Sequence, residues 1–181
     1  MILRPSVIFG NEDGFFNRFA SMAGMGPVLP LVGGNTKFQP VYVDDVAQAA
    51  VKGVKGEAHG VYELGGPDAE AFKAVIANML AVIRRRRLVL NLPFWVAKIP
   101  ATLLDFASAC TLGLIKNKIL TRDQVESLKT DSTVTPGAKT LADLGITATD
   151  YASVIPEYLW RYRPSGQYAA IKESAKNLKK A

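Results

Sequence analysis

The run of apolar residues over positions 2–9 is the feature that most constrains the fold of this chain. Nearly every residue in it is apolar, and Ile2, Val7 and Ile8 are β-branched. Such a run is typical of a strand that is buried on both faces in a parallel sheet. Pro5 cannot donate a ladder hydrogen bond, so we expect the regular strand to end near Arg4. A buried strand of this kind favours an α/β fold.

Strands and helices alternate along the first half of the chain. Apolar spacing predicts strands over residues 38–43, 60–64 and 88–92, and helices over residues 14–25, 44–53 and 69–83. Asp44 or Asp45 is expected to cap one helix and Asp68 another. Helices predicted over residues 93–110, 121–128, 138–144 and 149–162 make the second half more helical. Because a doubly wound sheet needs several βα units, the sequence predicts the C-terminal piece of a larger α/β protein.

Composition excludes several classes of protein. An apolar content of 49% with a net charge of +6 is too hydrophobic for a chain that is mainly disordered. Cys110 is the single cysteine, which excludes an intramolecular disulfide, and we expect it to be a packing residue. His59 is the single histidine, so a structural zinc site is not expected, and no metal-binding residues are predicted.

Motifs for catalysis or phosphate binding are missing from the sequence. Gly24 and Gly26 do not follow a strand, and the pair Gly65–Gly66 lacks a third glycine, so both groups are predicted to be turns. No P-loop, G-x-S-x-G or H-E-x-x-H motif occurs. Tyr42 and Lys37 lack the spacing that would place a phenol beside an ammonium group on one helical face. The residues therefore predict no catalytic site.

Two basic features leave a functional alternative open. The run Arg84, Arg85, Arg86 and Arg87 is either a solvated helix end or a contact with an anionic surface, and Lys172, Lys176, Lys179 and Lys180 recur near helical spacing in the final residues. Nucleic acid is not expected as a partner, because Tyr168 is the lone aromatic residue near those lysines. Residues 88–115 are apolar, but charges and prolines interrupt them, so a buried or interfacial hairpin is predicted there instead of a membrane span.

Several segments resemble a known family. The strings LRPSVIFGNEDGFFNRFA, PLVGGNTKFQPVYVDDVAQAA and GVYELGGPDAEAF resemble the later part of extended short-chain dehydrogenase/reductase proteins, the NAD-dependent epimerase/dehydratase family. The strings LTRDQVESLKTDSTV, LADLGIT and IPEYLWRYRPSGQY are similar to the dehydrogenase-like accessory subunit of respiratory complex I and its α-proteobacterial relatives. The resemblance extends from Ile2 to about Tyr168.

The resemblance implies a fold and a cofactor. The fold is the C-terminal portion of a Rossmann-type doubly wound parallel sheet with a smaller, mostly helical region. The family binds NAD(P)(H), and Pro5, Ser6, Val7 and Ile8 would approach its nicotinamide end, outside the carboxyl end of a strand. The family's phosphate-binding glycine motif and its Tyr-x-x-x-Lys pair match no part of this chain. We therefore expect neither turnover nor tight cofactor binding by the chain alone.

The resemblance also implies a function, with one alternative. The expected function is that of a non-catalytic NAD(P)-binding accessory or assembly protein of the complex I type. The alternative is a fragment of an NAD(P)-dependent epimerase, dehydratase or reductase, for example one of quinone metabolism. Expected partners are complex I subunits, an N-terminal Rossmann half and an anionic membrane surface. The expected location is the cytoplasmic or matrix side, peripheral to the inner membrane. Residues 1–163 are expected to form the Rossmann-like part and residues 164–181 a flexible basic tail.

Overall fold

The computed structural model describes residues 1–94 and 127–168. The strands are β1 Ile2–Pro5, β2 Ile8–Phe9, β3 Val28–Val32, β4 Lys37–Phe38, β5 Val41–Tyr42, β6 Val61–Leu64, β7 Glu70–Ala71 and β8 Leu88–Leu92. The helices are α1 Phe16–Met25, α2 Val43–Val54, α3 Phe72–Val82 and α4 Tyr151–Leu159, with 3₁₀ turns at Ala142–Leu144, Trp160–Tyr162 and Gly166–Tyr168.

The strands form pairs, and most of these pairs are parallel. β1 pairs with β6 from Ile2 opposite Val61 to Pro5 opposite Leu64. β2 pairs with β5, and β3 with β8, also in parallel, whereas β4 and β7 are antiparallel. Mixed helices and parallel strands confirm the predicted α/β class. The strand predicted over residues 88–92 is found with the same bounds, and the one predicted over residues 60–64 begins one residue later.

The apolar run at positions 2–9 differs from its prediction. It contains two strands in different sheets, because the ladder of β1 ends at Pro5 and β2 pairs with β5 instead of β6. Its side chains are not covered on both faces, since Ile2 is 57% exposed. The predicted end near Arg4 is correct to within one residue. Pro5 does not interrupt the pair, since Ser6 N–H still donates to Leu64 O on β6 at 2.9 Å. The run divides after Ser6, where Val7 O accepts from Val41 N–H and the chain passes to the β2–β5 pair.

The predicted helix caps are wrong. α2 follows Tyr42 without a side-chain cap, and Asp44 and Asp45 lie inside its first turn. α3 follows Ala71, because the residues after Asp68 pair with β4 as strand β7 before the helix begins. The helix predicted over residues 138–144 is only a 3₁₀ turn at its end. In these places long-range pairing prevails over local preference.

Some predictions lie outside the described residues. They include the helix over residues 93–110, most of the one over residues 121–128, Cys110 and the C-terminal lysines Lys172, Lys176, Lys179 and Lys180. Among residues 1–94 and 127–168, no helix is long and apolar enough to cross a bilayer.

The core consists of two clusters. The aromatic cluster joins α1, α3, α4 and β3, and Phe9, Phe16 and Phe72 at its centre are at most 1% exposed. Its rings meet mostly edge to face, as Phe15 and Phe16 do at 5.1 Å. The aliphatic cluster is smaller and contains Val41, Ala49, Ala58, Tyr62, Leu64, Leu141, Leu144 and Ile146. It supports the carboxyl ends of β1 and β6.

Candidate functional site

The four residues predicted to approach a nicotinamide lie where β1 ends. Ser6 N–H donates to Leu64 O at 2.9 Å, which closes the β1–β6 pair. The next carbonyl, Val7 O, accepts from Val41 N–H at 2.9 Å and so begins the β2–β5 pair. The segment from Pro5 to Ile8 therefore bridges two parallel strand pairs at their junction. In open α/β sheets, ligands bind outside the carboxyl ends of strands, which is where this segment lies.

The Ser6 hydroxyl connects three segments of the chain. It donates to Ser132 O, lies 3.1 Å from Ser132 Oγ and accepts from Gln39 N–H at 3.3 Å. Its one proton is used within the protein, so Ser6 does not act as a nucleophile in this arrangement. Ser6 instead fixes the loop around Ser132 against the end of β1.

A cavity of about 200 Å³ opens beside this turn. Its walls come from β1, β6 and residues 131–135, and include Arg4, Pro5, Ser6, Glu63, Asp131 and Thr135. Ligand pockets for whole small molecules are typically about 300–1,000 Å³. The cavity beside this turn is smaller than such a pocket, so it would hold only part of a ligand of that size.

Glu63 gives the cavity a carboxylate wall. Thr135 N–H donates to Glu63 Oε2 at 2.8 Å, and this hydrogen bond, with a smaller contribution from Arg4, lowers the pKa of Glu63. Asp131 adds a second carboxylate, which accepts from Lys37 N–H at 2.8 Å. Two carboxylates beside one guanidinium do not favour a phosphate group. The cavity suits an uncharged or cationic ring better than an anion.

A second cavity of about 560 Å³ lies next to the first, and Val134 lines both. Gln39 holds the segment between them, because its Oε1 accepts from Val134 N–H at 3.0 Å and its Nε2 donates to Gly66 O at 2.7 Å. Leu141 and Ile146 give this cavity an apolar wall. One glutamine side chain thus ties residues 132–134 to the turn after β6.

The turn after β6 needs its glycines. A Cβ atom added to Gly66 would lie 2.0 Å from Pro40 O, and one added to Gly65 would lie 2.5 Å from the side chain of Gln39. The approach at Gly66 is to a backbone atom and is too close for any side chain, whereas at Gly65 the side chain of Gln39 would have to move. These glycines lie in the connection between β6 and β7, outside any helix or strand, whereas Gly24, which was also predicted to be in a turn, lies inside α1.

Three tyrosines have a displaced pKa, and none is suited to act as a base at neutral pH. Burial raises the pKa of Tyr151 to about 12, and its hydroxyl donates to Glu70 at 3.0 Å. Burial, and a 2.6 Å hydrogen bond to Asp13, raise the pKa of Tyr158 further. Burial likewise raises the pKa of Tyr42. A catalytic tyrosine needs a pKa nearer the working pH, so these phenols serve the fold.

Sequence reasoning missed the residues that hold the site together. Asp45 is 3% exposed and accepts from Thr149 N–H at 2.8 Å, which ties α2 to the segment before α4. Gln39, Ser132 and Thr135 were also missed. Their partners are 72 or more positions away along the chain in most cases, and no local spacing reveals such pairs. The Ser/Thr-rich string from Ser132 to Thr135 is the one signal that the sequence offered.

The other residues singled out earlier lie elsewhere. His59 is exposed and lies in the loop between α2 and β6. Within the described ranges, no group of His, Cys, Asp and Glu could hold a metal ion. Arg84–Arg87 lie between α3 and β8, and none of them lines either of the two cavities described above. Arg85 Nε donates to Tyr162 O at 2.8 Å and Arg87 Nε to Ala23 O at 2.7 Å.

Comparison with known proteins identifies relatives at the sequence level. The chain is 35% identical over 170 residues to the mitochondrial NADH dehydrogenase [ubiquinone] 1 alpha subcomplex subunit 9 of Arabidopsis thaliana, covering 91% of this chain and 42% of the relative. It is 31% identical over 169 residues to the mitochondrial NADH-ubiquinone oxidoreductase 40 kDa subunit of Neurospora crassa, covering 92% and 42%. No protein-family model matches the chain.

Solved structures identify the fold. The Helicobacter pylori ADP-L-glycero-D-manno-heptose-6-epimerase superimposes with a TM-score of 0.53 at 20% identity, covering 88% of this chain and 43% of the epimerase. A Thermus thermophilus UDP-glucose 4-epimerase in complex with NAD gives 0.50 at 15% identity, covering 90% and 46%. A Bacillus anthracis dTDP-4-dehydrorhamnose reductase in complex with NADP gives 0.50 at 12% identity, covering 87% and 46%. These likenesses confirm the Rossmann-type fold.

The chain spans about two fifths of the length of the curated relatives that it matches. At this level of identity over nine tenths of its own length, the likeness reflects common ancestry. The chain is therefore a homologue of the alpha subcomplex subunit 9 and 40 kDa subunits of mitochondrial complex I, built on the fold of NAD-dependent epimerases and reductases.

Proposed function

We propose that this chain is part of a non-catalytic, dinucleotide-binding accessory protein of respiratory complex I. The observation that carries the proposal is the sequence homology to complex I subunits over 91% of the chain. Structural neighbours in complex with NAD or NADP support a dinucleotide as the ligand of the whole protein. The chain supplies one side of the ligand crevice, and the role is structural or regulatory.

The geometry at β1 supports a nicotinamide-side role for Pro5, Ser6, Val7 and Ile8. These residues lie at the carboxyl end of a parallel strand, beside a cavity with two carboxylates, where a cationic nicotinamide ring fits better than a pyrophosphate. The phosphates would bind outside this cavity, at the N-terminus of a helix that follows a glycine-rich turn.

An open strand edge supports a partner for the sheet. Within residues 1–94 and 127–168, β1 has a hydrogen-bonded neighbour only on the β6 side. The opposite side of β6 is covered, since Glu63 N–H donates to Lys139 O at 2.8 Å. An additional parallel strand at the free edge of β1 would complete the sheet and satisfy its backbone groups. We propose that the Rossmann half found in longer proteins of this fold occupies that edge.

The three buried tyrosines of this chain are not candidates for a catalytic base. Tyr42, Tyr151 and Tyr158 have raised pKa values and hydrogen-bond within the protein, so none supplies a phenolate. The proposal extends to location: the inner membrane, peripheral and on the matrix side in a eukaryote, with residues 1–163 as the Rossmann-like part and 164–181 as a basic tail.

Native electrophoresis of solubilised membranes tests the accessory role. The chain, expressed with an epitope tag in its own organism, should migrate with the band that oxidises NADH and reduces ubiquinone. A Gln39→Ala variant should lower the fraction of the chain in that band, because the loop at residues 132–134 loses its hydrogen bond from Val134 N–H to the Gln39 side chain. Migration only as free protein, or turnover of a sugar nucleotide by the purified full-length protein, would contradict the proposal and favour the epimerase or reductase alternative.

Calorimetry tests whether this chain holds only part of the cofactor site. The 181-residue chain titrated with NADH should give a dissociation constant weaker than about 10 μM, which corresponds to roughly −7 kcal/mol. The cavity of about 200 Å³ contacts too little of the molecule for tighter binding. A full-length relative, such as the Arabidopsis protein, serves as the comparison and should bind more tightly. Equal affinities would show that this chain holds the whole site.

A further inference from the structure

The cavity of about 560 Å³ beside the turn after β6, which we call the larger cavity, has no part in the proposed function. Gln39, the pair Gly65–Gly66 and residues between 140 and 148 line it, together with Val134. Its volume lies within the range of about 300–1,000 Å³ that is typical of pockets for whole small molecules. The smaller cavity beside β1, at about 200 Å³, falls below that range. The larger cavity can therefore hold a small molecule by itself.

The lining of the larger cavity is uncharged. None of the described residues that form it is an Asp, Glu, Lys, Arg or His. Leu141 and Ile146 supply an apolar wall and are 2% and 6% exposed, because both belong to the aliphatic cluster. Polar groups come from Gln39, Thr140 and Thr147. An ion placed here would lose its hydration without gaining an opposite charge. The lining therefore suits a neutral molecule with an apolar body and a polar edge.

Glycines leave the larger cavity unfilled. Gly65 and Gly66 have no side chain, and Gly66 cannot gain one, since an added Cβ atom would lie 2.0 Å from Pro40 O. Gly145 ends a 3₁₀ turn in the left-handed conformation, with φ at +66°, and its N–H donates to Ala142 O at 2.9 Å. A Cβ atom added to Gly145 would meet nothing within 4 Å. Backbone held by hydrogen bonds, with open space beside it, thus forms two of the lining segments.

The Gln39 side chain connects the larger cavity to the smaller one. A carboxamide can donate two hydrogen bonds and accept two. Gln39 Nε2 donates to Gly66 O at 2.7 Å, and its Oε1 accepts from Val134 N–H at 3.0 Å, so both ends keep capacity for a ligand. The backbone N–H of Gln39 donates to Ser6 Oγ at 3.3 Å. A ligand that bonds to this carboxamide therefore acts on the same side chain that holds residues 132–134 beside β1.

We propose that the larger cavity is a regulatory site for a small uncharged molecule with a ring body and an amide or carbonyl group. The ring body lies against Leu141 and Ile146, and the polar group hydrogen-bonds to the Gln39 carboxamide. Binding moves Val134, which lines both cavities, and so changes the wall of the smaller one. The regulatory role rests on the proposed function, because it acts on the proposed nicotinamide-side site, whereas the binding itself rests on the larger cavity alone.

Three probes with one ring system test the binding. In NMR spectra of the whole chain, neutral 2-naphthamide should shift the amide signals of Gly66, Ile146 and Thr147, with a dissociation constant of about 1 mM or tighter. The anion 2-naphthoate and the cation 2-naphthylmethylammonium should bind about tenfold more weakly or less, because the lining offers no opposite charge. Equal binding of all three probes, or shifts confined to other residues, would overturn the proposal.

A variant that fills the larger cavity tests its position. Ala142→Phe adds a ring to a lining residue and should weaken 2-naphthamide binding about tenfold or more. Ala50→Phe is the matched control, because Ala50 is likewise exposed but lies on α2 and does not line the cavity. The control should bind the probe like the unmodified chain. Unchanged binding in Ala142→Phe would overturn the proposal. Thermal unfolding checks that both variants fold, and the three probes decide on the unmodified chain if Ala142→Phe does not.

The link to the smaller cavity has its own measurement. In the unmodified chain, 2-naphthamide should also shift the amide signals of Ser132 and Thr135, which line the smaller cavity. In Gln39→Ala these two signals should no longer respond, while those of Ile146 and Thr147 still do at higher probe concentration. Signals of the smaller cavity that never respond, or that respond equally in Gln39→Ala, would overturn the regulatory role. Co-migration with complex I does not enter these measurements, so the accessory role can fail while this site stands.

Discussion

Two regions of the molecule use different means to reach a fixed structure. The acid-free region, residues 14–38, 71–94 and 158–168, contains no Asp or Glu and is held mainly by aromatic rings in contact, such as Phe72 with Phe15, Phe19 and Phe38. The crevice region, residues 1–13, 39–70 and 127–157, is held largely by side chains bonded to distant backbone groups. Ring packing stabilises the acid-free region, and long-range side-chain hydrogen bonds set the shape of the crevice region. The proposed ligand site belongs to the region with fewer buried rings.

The largest expected effect is the loss of an aromatic ring. Phe72→Ala should lower the free energy of unfolding by about 3–5 kcal/mol, because Phe72 is 1% exposed and meets three other rings. Leu144→Ala, in the aliphatic cluster, should cost about 2 kcal/mol, since Leu144 lies at the edge of that cluster with 6% exposed. Urea unfolding compares the two. Equal losses would show that the regions do not differ in how they are stabilised.

Local apolar spacing predicts elements of both regions but not the contacts that shape the crevice. α1 and β8 in one region, and α2 and β6 in the other, were predicted to within two residues, whereas the strand β3 was predicted to be a loop. The crevice depends on Ser6 bonding to Ser132, 126 positions away, and on Asp45 bonding to Thr149, 104 positions away. Such pairs have no local period. The position of the candidate site after β1 could be predicted from the sequence, because it follows from where the strand ends. The residues that shape the site could not be predicted in this way.

A side chain at Gly66 should disturb the crevice region alone. Gly66→Ala places a Cβ atom 2.0 Å from Pro40 O, so the turn after β6 must move, at a cost of about 1–3 kcal/mol. Gly24→Ala is the matched control in α1, where nothing lies within 4 Å of the added atom. That control should be stabilising by about 0.5–1 kcal/mol, because alanine favours the helix. Thermal unfolding should show midpoints displaced in opposite directions, and a shared direction would contradict the packing described at Gly66.

High pH should weaken the contacts where α4 meets both regions. Tyr151 has its pKa raised from 10.0 to about 12 in the folded chain, mainly by burial. A group whose folded pKa is above its unfolded value contributes stability that is complete below about pH 10 and is lost as pH rises towards 12. The urea midpoint should therefore fall between pH 9.5, about half a unit below the start of that window, and pH 11.5, about half a unit below its end. Tyr151→Phe should reduce this fall, and an equal fall in the variant would assign it to other groups.

The smallest expected effect concerns the hydroxyl that joins β1 to the crevice loop. Ser6→Ala removes a donor to Ser132 O and an acceptor for Gln39 N–H, and both partners are only partly buried, so water can replace the lost bonds in part. We expect a loss of about 1 kcal/mol in the free energy of unfolding. Ser153→Ala, which removes an exposed hydrogen bond to Asp150 O within the first turn of α4, should cost less. Hydrogen exchange separates a local effect from a global one: the amides of Gln39 and Val134 should exchange faster in Ser6→Ala, while those of α1 and α3 keep their protection. Uniformly faster exchange across both regions would mean that Ser6 supports the whole fold and that the crevice is not a separately stabilised part of it.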